Sequence, residues 1–85
     1  MTHITIEQFI DGYEALKLSP RVQTVYEVFP FYTEALEFTE ILLKNRIISP
    51  ISEVISDESH RLRFHFEFAP DADMKCSELL KNMRN

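Results

Sequence analysis

The sequence predicts a small α+β domain: three helices, a β-hairpin and a closing helix, with residues 1–85 forming a single domain. Three observations carry that expectation. Apolar residues recur at helical spacing in successive stretches before Ser49. Residues 61–68, RLRFHFEF, alternate strictly: Leu62, Phe64, Phe66 and Phe68 point one way, and Arg61, Arg63, His65 and Glu67 the other. Beyond Pro70, Cys76, Leu79, Leu80 and Met83 return to the i, i+3, i+4, i+7 set of a helix.

The first helix, over residues 4–17, has a clear start. Thr5 can cap it, with Gln8 three positions on returning the hydrogen bond, and Ile4 and Phe9 stand at the flanking staple positions. Ile6, Phe9, Ile10, Tyr13 and Leu16 form its inward stripe. Gly12 in mid-helix costs about 1 kcal/mol against alanine, which points to a neighbour passing close by.

Ser19-Pro20 reads as a second start, a capping hydroxyl before a proline at the first helical position. Val22, Val25, Tyr26 and Phe29 keep helical spacing, although VQTVYEVF is equally rich in strand-forming residues. The agreement of cap and spacing favours a helix over 20–29. Pro30 ends it, because proline lacks the amide donor and crowds the preceding turn.

The stretch 31–47, FYTEALEFTEILLKNRI, is the expected centre of the fold. Wound as a helix, it gathers Phe31, Ala35, Phe38, Ile41 and Leu42 on one stripe and Tyr32, Leu36, Leu43 and Ile47 on nearly the opposite side. Glu37, Glu40 and Lys44 fall between. A helix apolar on two flanks is either enclosed by its own domain or shared with another chain. Enclosure is the plainer reading and sharing the one with functional content.

Ser49-Pro50 marks the exit, and 51–68 reads as a hairpin with ISEVIS as its weaker first arm and 56–60 as its polar loop. The second arm's phenylalanines are expected to dock on the Phe31/Phe38/Leu42 stripe, since two strands alone are marginally stable. Asp71 or Asp73 can open the last helix at its positive end.

Composition narrows the function. The chain is 45% hydrophobic with seven Phe, and its net charge is −5. All of that excess lies in residues 1–43; residues 44–85 balance. An acidic first half repels the phosphate backbone, which argues against a nucleic-acid partner. Cys76 stands alone and suits a reducing compartment. The acidic N-terminal stretch lacks a signal peptide's apolar core, and no run approaches the roughly 18–20 apolar residues of a membrane span. A cytoplasmic protein with no membrane contact is expected.

No constellation points to catalysis. His60, His65, Cys76 and Asp57 lack the close spacing of a zinc element, so no metal is expected. Cys76 with His65 lacks a glycine-rich loop to supply backbone donors, and Cys76 falls on an apolar stripe. No phosphate loop, dinucleotide fingerprint or paired-carboxylate cleft is visible. The chain reads as a non-enzyme without cofactors.

The order of elements, with LLKNRIIS taking a helix straight into a strand, resembles that of a winged-helix domain. Such a resemblance implies a third helix reading the major groove and a hairpin wing. Here the helix offers Glu34, Glu37 and Glu40, and the wing's Arg61 and Arg63 are offset by Asp57 and Glu58. The expectation is therefore a regulatory or adaptor domain that binds a protein partner, as a homodimer, through Tyr32, Leu36, Leu43, Ile47, Arg61 and Arg63. The alternative is a DNA-binding transcriptional regulator.

Overall fold

A computed structural model describes residues 4–51, 55–56 and 62–84. Helices α1 (Ile6–Leu18), α2 (Val22–Val28) and α3 (Tyr32–Lys44) come first, then strands β1 (Ile48–Pro50), β2 (Ile55–Ser56), β3 (Leu62–Arg63) and β4 (Phe66–Phe68), then α4 (Ala72–Arg84). This is the α+β order expected from the sequence.

α1 begins as its residues dictate. Gln8 N–H donates to Thr5 Oγ1 (3.0 Å), and Thr5 N–H donates to Gln8 Oε1 (2.8 Å), closing the capping box. Ile4 and Phe9 are both buried beside it. Gly12 is buried against the rings of Phe29 and Phe38, so the close neighbour expected there is real.

α2 is a helix, but it is shorter than its sequence spacing implies and starts differently. Arg21, not Ser19, is its N-cap, and no side chain caps it. Ser19 instead ends α1, and its hydroxyl accepts from Arg21 Nε at 3.1 Å. A seven-residue helix gains little from propensity alone, so burial of Val25 and of the following Phe29 holds it in place.

α3 corrects two further expectations. It starts at Tyr32, and Phe31 is its N-cap in extended backbone (φ −91°, ψ 136°). A cap residue leaves the helical wheel, so Phe31 is 67% exposed rather than part of the inward stripe. At the other end the helix closes at Lys44, and Arg46 adopts the left-handed conformation (φ 58°). Ile47 N–H donates to Leu42 O (2.9 Å) and Arg46 N–H to Leu43 O (3.1 Å). These two bonds are the Schellman closure, and Ile47 beyond it is buried in the core.

The hairpin begins earlier than expected. β1 pairs antiparallel with β4 in the register Ile48–Phe68, Ser49–Glu67, Pro50–Phe66, so Ser49-Pro50 lies inside a strand instead of punctuating it. Pro50 costs the ladder nothing, because Phe66 is its non-hydrogen-bonded partner and the next bond is Ile51 N–H to His65 O (2.7 Å). β2 pairs with β3 as Ile55–Arg63 and Ser56–Leu62. The two pairings form separate two-stranded sheets. Val54, the loop at 57–60 and Arg61 lie outside the described residues.

The core forms where helices and hairpin meet. Phe38 of α3 takes Phe9 edge-on (centroids 5.4 Å) and Phe29 stacked (4.6 Å). Phe68 packs edge-on to Tyr13 of α1 (5.9 Å). Leu62, Phe64 and Phe66 are buried in the same cluster. α4 closes the fold through Ala72 and Cys76, while Leu79 and Leu80 are only half-buried.

Candidate functional site

The apolar flanks of α3 are the shoulders of one broad buried arc, not two opposite stripes. Ala35, Phe38, Thr39 and Leu42 form its centre. Thr39 is what joins the flanks. Its Oγ1 donates to Ala35 O (2.9 Å), so a polar residue is satisfied in the core at 1% exposure. Tyr32, Leu36 and Leu43 rise from one shoulder, half-buried and packed against the core. Ile47, expected beside them, is fully buried below the Schellman turn and offers nothing to the surface.

Solvent sees a narrow face of α3. Thr33, Glu40 and Lys44 are exposed along it. At its C-terminal end Glu37, Glu40, Ile41, Leu43, Lys44 and Asn45 surround a shallow depression of about 510 Å³. Leu43 therefore belongs both to a core shoulder and to a surface hollow rimmed by carboxylates and an ammonium group. Arg61 lies outside the described residues and Arg63 is placed by its backbone in β3, so α3 carries the described part of the expected surface.

A larger hollow, about 790 Å³, lies between α2 and the hairpin. Val22 and Tyr26 form one wall and Leu62, Phe64 and Phe66 the other, with Arg21 and Glu27 at the rim. Tyr26 Oη accepts from Leu62 N–H at 2.7 Å, tying the walls together. The sequence signalled this hollow only as an ambiguity, the strand-like character of residues 22–29.

One polar cluster joins α1 to α4. Tyr13 Oη donates to Asp73 Oδ1 (2.7 Å), and Lys17 Nζ stands 3.5 Å from the same oxygen and 5.0 Å from the centre of the Phe68 ring. The Tyr13 hydroxyl and then the Lys17 charge hold the Asp73 carboxyl below its ordinary value. Burial first, and the bond to Asp73 second, push the Tyr13 phenol up. Burial, assisted by Asp73, also raises the Cys76 thiol, which keeps it protonated and inert near neutral pH. The arrangement is a clasp between helices. Asp73 and Tyr13 are 60 residues apart, and no local pattern announces the pair.

Among the described residues, no three His, Cys, Asp or Glu side chains gather as a metal site. No described helix is long and apolar enough to cross a membrane. Comparison of the chain with family models, curated proteins and solved structures finds no match.

Proposed function

We propose that this chain is a small acidic cytoplasmic domain of regulatory or adaptor type that binds protein partners and pairs with itself. The observation carrying the reading is the α3 shoulder. Tyr32, Leu36 and Leu43 remain half-open beside Glu37 and Glu40, an apolar ridge with a charged margin. A net charge of −5 favours partners with a basic or neutral docking face.

Replacing Leu36 and Leu43 together by Glu tests it. Loss of partner capture or of self-association, with a retained cooperative urea transition, supports a surface role. Global unfolding of the variant would instead assign both leucines to the core.

A DNA-binding reading rests on the winged-helix-like order of elements. Against it stands the exposed face of α3, where Glu40 meets solvent beside a single lysine. Electrophoretic retardation on random duplex at low salt decides it; absence of a shift at tens of micromolar protein removes it.

A further inference from the structure

The second arm of the hairpin bonds to the first through odd-numbered residues: Ile51 N–H donates to His65 O, and Ala69 N–H to Ile47 O. The even-numbered ones turn their backbone groups outward. Leu62 shows where that side leads, since its N–H crosses to Tyr26 Oη of α2 and closes one end of the hollow of about 790 Å³. Farther along, Phe66 faces Pro50 as a non-hydrogen-bonded pair, and Phe64 and Phe66 both line the same hollow. These two residues are 7% and 9% exposed, yet their backbone N–H and C=O groups meet no hydrogen-bond partner among the described residues. Buried backbone groups are paired in more than about 90% of cases. Unpaired ones at two successive outward positions, beside an open hollow, point to an occupant that pairs them.

We infer that the hollow between α2 and the hairpin receives an extended segment of a partner protein, which adds to the Phe64–Phe66 edge as a short strand.

The edge sets the chemistry of the occupant. Donors and acceptors repeating at strand spacing match a peptide backbone. Pairing with Phe64 and Phe66 takes three residues, roughly 10 Å of extended chain. The Leu62 N–H is already held by Tyr26, so the segment stops short of it. Its side chains alternate, one set toward Val22 and Tyr26 on the α2 wall and the other toward solvent, which favours apolar and polar residues in turn. The hollow's volume falls within the range of about 300–1,000 Å³ found for ligand clefts. Neither the α3 ridge nor any charged side chain takes part, so the inference goes beyond the reading above and stands or falls separately from it.

Amide exchange and peptide selection on the full chain test it together. In the free protein the Phe64 and Phe66 amides should exchange with deuterium more than about tenfold faster than those of Leu62 and Ile51, whose N–H groups are bonded. Panning short random peptides against the chain should yield binders with alternating apolar residues, and a synthetic binder should slow exchange at both phenylalanine amides. Methylating alternate backbone nitrogens of that peptide should weaken binding about tenfold in one phase, the set facing the edge, and little in the other. Phe64 and Phe66 amides as protected as Leu62 at every dilution would show that the chain covers its own edge, and the inference falls. Protection that grows with protein concentration alone would assign the edge to a second copy and overturn it as well. So would a selection without binders, or binding indifferent to which nitrogens are methylated.

Discussion

A Cβ built on Gly12 would lie 2.5 Å from Cε2 and 2.9 Å from Cζ of Phe29. Phe29 is itself fully buried and stacked on Phe38, so moving its ring means moving its packed neighbours. Gly12→Ala gains about 1 kcal/mol of helix propensity. Against that gain, overpacking costs about 1–3 kcal/mol. The expected outcome is net destabilisation in urea titration, and a variant more stable than wild type would show that the ring relaxes without strain.

Arg46 occupies backbone space that glycine fills at no steric cost. Arg46→Gly should therefore exceed Arg46→Ala in stability by about 1 kcal/mol, a comparison in which both variants lose the charge. Equal midpoints in thermal unfolding would mean that the turn reorganises.

Phe31 and Ile47 bound the apolar stretch that contains α3, and they should respond oppositely to truncation. Ile47→Ala should cost about 2–5 kcal/mol because its side chain is fully buried. Phe31→Ala should stay within about 0.5 kcal/mol of wild type. Comparable losses at both positions would contradict the burial difference.

The Tyr13–Asp73 bond gives stability two pH limbs. Asp73 has a lowered value in the fold, so its contribution is present above the unfolded carboxyl range, about 3.9, and is lost as pH falls through the folded value. Tyr13 has a raised value, so its contribution is complete below about pH 10 and declines as pH rises further. Tyr13→Phe should flatten both limbs of the thermal midpoint against pH. Unchanged limbs would mean that other groups set them.

Much of the fold could be read from local chemistry. Thr5 and Gln8 announce the start of α1, Gly12 the close approach, and the 62–68 alternation the face of the hairpin, because each signal lies within one element. What escaped depends on backbone detail or distance. Phe31 left the wheel because one residue of cap geometry rotated it out. Thr39 seemed polar until its hydroxyl found the Ala35 carbonyl. Pro50 read as a breaker, although its missing donor falls where the ladder has no bond. Of the candidate surface, Tyr32, Leu36 and Leu43 lie on one shoulder as their spacing implied, and Ile47 does not, because the Schellman turn ends the period.

The anchoring of α4 is concentrated at one end. Asp73 reaches Tyr13 and Lys17, and Lys75 donates to the Arg46 carbonyl at 3.1 Å, all within the first turns. Leu79, Leu80 and Met83 farther along are only half-covered. Amide protons should therefore exchange with deuterium in a gradient, fastest toward Arg84 and slowest near Cys76. Such a gradient would mark α4 as a flap pinned at its proximal end, its distal turns peeling away while the rest of the molecule stays folded.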